Sequence, residues 1–156
     1  MKKLAFLPLV LASLAYAQDA EITFHSTEIE PGIFMVEARG GFGGGNMAVL
    51  VGEDHVAMID DSMPPFADDL LTHVTETAGG PIDFMVNTHV HGDHTGGNAH
   101  FADGGTVIFA HENIRKRLLA DPSDAGGPGG LPVITFGDGV TCLLYTSDAA
   151  DDLVSV

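Results

Sequence analysis

Apolar positions change their period several times along the chain, and each change marks an element. Ile33 to Arg39 (IFMVEAR) is apolar and partly β-branched, which predicts a strand. Two short apolar runs follow, Met47–Val51 and His55–Ile59, separated by Gly52-Glu53-Asp54. Two such runs around a Gly- and Asp-containing turn predict a β-hairpin. The period then lengthens. Phe66, Leu70, Val74 and Ala78 recur every four residues and form one helical stripe. Pro64-Pro65 opens this helix where missing N–H donors matter least, Asp68 and Asp69 face its positive end, and Gly79-Gly80 closes it. Ile82–Asn87 reads as the next strand, so a strand–helix–strand unit with a right-handed parallel crossover is expected. A short helix over Asn98–Ala102, a strand over Thr106–Ala110, a helix over Glu112–Leu119 with Ile114 and Leu118 inward, a Pro/Gly-rich loop from Asp121 to Gly130 and a last strand over Leu131–Phe136 complete the pattern. The fold class is therefore α/β, and no internal repeat is visible.

The two ends do not belong to that pattern. Lys2 and Lys3, an apolar run from Leu4 to Leu14 and Ala15-Tyr16-Ala17 follow the order of a secretory signal peptide. Residues 1–17 are thus expected to be removed, and the mature protein to be periplasmic or secreted. The apolar run is too short to span a bilayer comfortably. At the other end, TCLLYTSDAADD (Thr141 to Asp152) resembles the in-frame translation of a transposase-derived sequencing adapter. Residues 141–156 are accordingly expected to be foreign, with 18–140 the N-terminal part of a domain.

Charge and cysteine content narrow the function. The chain has a formal net charge of −16. Leaving out Lys2, Lys3, Asp148, Asp151 and Asp152 changes this only to about −15. Such a chain repels nucleic-acid phosphates and anionic headgroups, so neither nucleic acid nor, after signal cleavage, a membrane is an expected partner; a small-molecule substrate is. The one basic cluster, Arg115-Lys116-Arg117, reads as a solvated helix face. The single cysteine, Cys142, lies in the foreign run, which leaves residues 18–140 without a disulfide or a thiolate ligand.

The chemistry is concentrated in THVHGDHTGG, Thr88 to Gly97. The run directly follows a predicted strand, at the C-terminal end where open α/β sheets bind ligands. His89 and His91 are two apart and point the same way in an extended segment, so they can converge on one ion. Asp93 shares that parity unless Gly92 bends the chain; His94 must point elsewhere. Two ligands for one ion and two for a neighbour is the natural outcome. Imidazole and carboxylate ligands suit Zn²⁺, with Fe or Mn as alternatives.

The HVHGDHTGG run resembles the H-x-H-x-D-H signature of the metallo-β-lactamase superfamily. The upstream GGNMAVLVG and the strand ending AMIDDS resemble that family's opening strands, and the likeness extends from about Ile33 to Phe136. It implies the N-terminal half of an αββα sandwich and a dinuclear site. His89 and His91 would bind the first metal, Asp93 and His94 the second, with the remaining ligands beyond Val140. Asp60 would close the second hairpin strand, either as a plain turn residue or as a carboxylate that supports the metal loop from beneath, a habit of carboxylates around metal-bound histidines. The implied activity is hydrolysis of an ester, thioester or lactam by a metal-bound hydroxide, with Asp93 orienting the nucleophile and carrying a proton to the leaving group. Alternatives are an iron-dependent sulfur oxygenase of the same fold and a non-catalytic periplasmic metal-binding protein. The truncated chain itself is expected to be inactive. Asp61 is expected to be exposed, Gly96-Gly97 to serve the tight exit of the loop, His100 and His111 to lie outside the ligand set, and Gly40–Gly45 to be a plain loop rather than a flap.

Overall fold

In the computed structural model, which describes residues 21–141, seven strands form one sheet in chain order. The expected signal segment and the adapter-like run from Cys142 onward lie outside the described residues. The strands are β1 (Thr23–Glu30), β2 (Ile33–Arg39), β3 (Met47–Val51), β4 (Val56–Ile59), β5 (Phe84–Asn87), β6 (Val107–His111) and β7 (Ile134–Phe136). Strands β1 to β4 pair antiparallel, whereas β4, β5, β6 and β7 pair parallel. The helices are α1 (Ala67–Ala78), α2 (Gly92–Thr95), α3 (Asn98–Asp103) and α4 (Glu112–Ala120).

The predicted hairpin is β3–β4, with Ala48 opposite Ile59 and Leu50 opposite Ala57. Helix α1 follows a 3₁₀ turn over Pro64–Phe66 and buries Leu70 and Val74. It stops at Gly79, whose φ of 72° is a left-handed cap. Strand β1 was not foreseen. Its sequence, TFHSTEIE, is polar and mostly exposed because it forms the outer edge of the sheet; there, backbone pairing with β2 and the Ser26 hydroxyl, 2.8 Å from His73 Nε2 on α1, fix it without an apolar signal. Strand β7 is shorter than predicted. Pro132 has no N–H to give the ladder, and its carbonyl accepts a hydrogen bond from the Arg115 guanidinium instead.

The two faces of the sheet differ in cover. On one, Phe34, Val49, Met58, Met85 and Ile108 form a row across β2–β6 and pack with Leu70, Val74 and Phe101 of α1 and α3. On the other, Met35, Ala48, Ile59, Val86, Phe109 and Ile134 form an equally apolar row, flanked by Ile33, Leu50, Ala57, Phe84 and Val107. Among the described residues no helix covers this second face, and most of its side chains are only half-buried. Strands apolar on both faces are the pattern of a sheet meant to be covered twice.

Parallel registration of β4, β5 and β6 aligns their C-terminal ends, with Ile59 opposite Val86 and Val86 opposite Phe109. Asp60, Thr88 and His111 are thereby delivered to one edge.

Candidate metal centre

Asp60 leaves β4 in the left-handed region, at φ 58°, the one non-glycine residue there among those described. Aspartate tolerates this conformation better than most residues. The turn aims its buried carboxylate across the end of β5, where it accepts three hydrogen bonds. Thr88 N–H donates to Oδ1 at 2.7 Å, Thr88 Oγ1 to Oδ2 at 2.6 Å, and His94 Nδ1 to Oδ2 at 2.9 Å.

This network fixes two imidazole tautomers. A carboxylate only accepts, so His94 carries its proton on Nδ1. The single Thr88 hydroxyl proton is spent on Asp60, so the contact of 3.0 Å between Thr88 Oγ1 and His89 Nδ1 has His89 as donor. In the neutral form that a metal requires, these hydrogen bonds leave Nε2 of each ring as the free nitrogen. Asp60 thus orients one histidine directly and the other through Thr88.

The backbone bends where Gly92 allows it. His91 is extended, at φ −73° and ψ 144°, and α2 begins at Gly92. Asp93 therefore turns away from the parity of His89 and His91 and joins His94; its Oδ2 lies 3.4 Å from His94 Nε2. Two donors on one tetrahedral ion, each about 2.1 Å from it, are themselves about 3.4 Å apart. The rings of His89 and His94 are centred 3.9 Å apart, and those of His89 and His91 4.8 Å apart. Asp60, His89 and His94 also offer atoms within 4.8 Å of one another. Because both Asp60 oxygens already serve three donors, Asp60 is better suited to hold the histidines than to ligate. The donor set fits a divalent cation of the zinc type: neutral nitrogens and one free carboxylate, converging and partly desolvated.

The loop is clamped from below. His91 C=O accepts from His94 N–H at 2.9 Å and from Thr95 N–H and Oγ1, both at 3.1 Å. Asn87 and Asn98 exchange reciprocal side-chain hydrogen bonds of 3.0 and 2.9 Å, and Asn87 also donates to His94 C=O. Sequence reasoning missed Thr88, Asn87 and Asn98; their one signal was position, at a strand end beside a histidine run. From above, Gly40–Gly45 is more than a plain loop. Ser62 Oγ donates to Gly43 C=O. A Cβ on Gly45 would stand 2.7 Å from His94 Cε1, and Gly44, at φ 101°, lies against Asp93 C=O. Glycines let this loop reach the ligands.

Asp61 corrects an expectation of exposure. It is fully buried, and neither carboxylate oxygen has a hydrogen-bond partner among the described residues. Burial raises its pKa well above the usual carboxylate value, with the charge of Asp60 adding to the rise and the nearby Gly97 backbone opposing it. Sequence alone did not reveal this because the chain turns at Asp60, folding the next residue under Gly97. His100 and His111 stand outside the cluster. His100 Nε2 lies 3.0 Å from Asp68 on α1, and His111 Nδ1 caps α4 by accepting from Asn113 N–H at 3.1 Å.

Two open cavities flank the candidate ligands. One, of about 630 Å³, lies between His89 and the face of α4 carrying Asn113, Lys116 and Arg117. The other, of about 460 Å³, lies beside Asp93 and is walled by Phe42, Met63, Pro64 and Pro65.

The sequence profile of the metallo-beta-lactamase superfamily matches residues 40–152. The chain belongs to this superfamily. Solved metallo-beta-lactamases share the fold at low identity. The enzyme from Pontibacter korlensis superposes with a TM-score of 0.64 at 19% identity, over 78% of this chain and 56% of that one. DIM-1 metallo-beta-lactamase gives 0.62 at 19%, over 81% and 57%. The FIM-1 enzyme of Pseudomonas aeruginosa, solved in a mono-zinc form, gives 0.57 at 23%, over 80% and 54%. The chain thus spans little more than half the length of these metallo-beta-lactamase structures. No curated protein matches it. As a member of the metallo-beta-lactamase superfamily it falls among proteins that are mostly metal-dependent hydrolases.

Proposed function

We propose that the whole protein is a secreted zinc-dependent hydrolase acting on esters, thioesters or lactams, and that Thr88–Gly97 supplies half of its site. The observation that carries this is the convergence of Asp93 Oδ2 and His94 Nε2 at 3.4 Å, with His94 and His89 held in one tautomer by Asp60 and Thr88. Zinc is favoured over iron or manganese by the imidazole-rich donors and by the mono-zinc form of one structural relative. His89 and His91 would hold one ion, Asp93 and His94 a second. Metal ions held there would supply Lewis acidity to a carbonyl and to a water. The half-buried Asp93 carboxylate would orient the attacking water by accepting its hydrogen bond, then carry the proton to the leaving group.

Zinc bound by the purified chain and by H89A and D93A variants, measured by elemental analysis and chelator competition, tests the ligands. Hydrolysis of aryl esters by the protein read without interruption past residue 140 tests the reaction. Both variants are expected to lose zinc, and the longer protein to lose turnover with either change. Unchanged zinc content and unchanged turnover in the His89→Ala protein would overturn the assignment.

A further inference from the structure

We propose that the cavity beside His89 is an anion subsite, and that the substrates of this protein carry a carboxylate held by Lys116 and Arg117. What happens to the substrate rests on the hydrolase reading above; the binding of its anionic end does not.

The distribution of positive charge carries the inference. Apart from Lys2 and Lys3, the basic residues of this chain are Arg39, Arg115, Lys116 and Arg117. Arg39 is paired with Glu37 at 2.7 Å, and Arg115 donates to the Pro132 carbonyl. Among the described residues Lys116 and Arg117 form neither an ion pair nor a side-chain hydrogen bond, although the chain has 22 acidic residues. Both line the cavity of about 630 Å³ whose opposite wall is Thr88, His89 and Val90. Among the described residues no carboxylate lines it. The acidic residues nearest in sequence are Glu112, four positions before Lys116 on the same helix, and Asp121, four after Arg117; neither forms an ion pair with Lys116 or Arg117, and Asp121 Oδ1 is engaged by Ser123 N–H and Oγ. Helical spacing puts Asn113 on the same side as Lys116 and Arg117, adding an amide donor to the two cations.

A chain of net charge −16 repels anions at long range. Two unpaired cations beside the metal ligands reverse that locally. The guanidinium fork of Arg117 matches a carboxylate in two parallel hydrogen bonds, and the Lys116 ammonium adds a flexible point charge. The solvated helix face expected from sequence therefore has a direction: it looks at His89.

The test titrates the full chain, with and without zinc, with 4-nitrobenzoate and with the neutral 4-nitrobenzamide, followed by NMR. The K116Q/R117Q variant is compared with R39Q, which removes a cation distant in sequence from α4. Lys116 and Arg117 are exposed, so the variant should fold; thermal melts check this. In the unaltered chain the acid should bind roughly tenfold more tightly than the amide, the size expected for two exposed charge pairs. K116Q/R117Q should lose this preference, R39Q should keep it, and zinc removal should leave most of it. Equal binding of acid and amide, or a preference that survives K116Q/R117Q and disappears with zinc, overturns the proposal. Failure of the hydrolase reading looks different: the acid preference persists, but zinc is not bound and esters are not cleaved by the longer protein.

Discussion

Replacing Asp60 with Asn tests whether one carboxylate sets the state of the two histidines proposed as metal ligands, His89 and His94. The substitution nearly preserves volume, and asparagine tolerates the left-handed φ of 58° as aspartate does, so backbone strain is not introduced. What changes is the sense of the hydrogen bonds. Asp60 accepts from Thr88 N–H, Thr88 Oγ1 and His94 Nδ1 at 2.7, 2.6 and 2.9 Å. An asparagine can keep its carbonyl on Thr88 N–H, but its NH₂ then faces Thr88 Oγ1 and His94 Nδ1 as a donor. His94 must shift its proton to Nε2, the atom 3.4 Å from Asp93 Oδ2, and can no longer offer that atom to a metal. Freed from Asp60, the Thr88 hydroxyl can also donate to His89 Nδ1, which pushes the second ring the same way. Loss of a carboxylate that orients a ligand typically lowers metal affinity 10–100-fold, about 1.4–2.7 kcal/mol. With two rings affected, the upper end is expected. Competition against a chromophoric chelator measures the zinc affinity, and the melt of the metal-free variant separates loss of fold from loss of metal. Zinc bound by folded D60N as tightly as by the unaltered chain would refute the tautomer reasoning.

Two other outcomes follow from the structure. Asp61→Asn should stabilise the metal-free protein at pH 7 by about 1–3 kcal/mol, because folding then no longer has to neutralise or desolvate an unpartnered carboxylate. The raised pKa sets the sign: the protonated folded form is favoured, so the stabilising contribution of Asp61 is complete below the unfolded value near 3.8 and is lost as pH rises through the folded value. The advantage of D61N in urea melts should therefore vanish near pH 4, and a destabilised D61N at pH 7 would mean the carboxylate has an unseen donor. The apolar face that no helix covers among the described residues predicts that the purified chain binds a hydrophobic dye and self-associates as its concentration rises. Val86→Thr with Phe109→Thr should reduce dye binding, whereas a monomeric, dye-silent chain would contradict the prediction.

Most elements and the candidate ligands were legible in the sequence. Alternating or continuous apolar runs gave β2 to β6, and the four-residue stripe from Phe66 to Ala78 gave α1, because burial of one face imposes its period on the chain. The density of His89, His91, Asp93 and His94 announced metal chemistry before any geometry was known. Signals from long-range neighbours were not legible. Edge strand β1 has no apolar period, since the backbone of β2 and the side chains of α1 hold it. Asp60 could be a turn residue or an orienting carboxylate until the parallel pairing of β4 with β5 set it beside Thr88. Asp61 looked like surface, and Lys116 and Arg117 like any solvated pair, until the fold buried the first and turned the others towards His89. Local pattern encodes what a residue does to its own segment. Its burial, its hydrogen-bond partners and the electrostatic field around it depend on residues tens of positions away, and those only tertiary structure brings together.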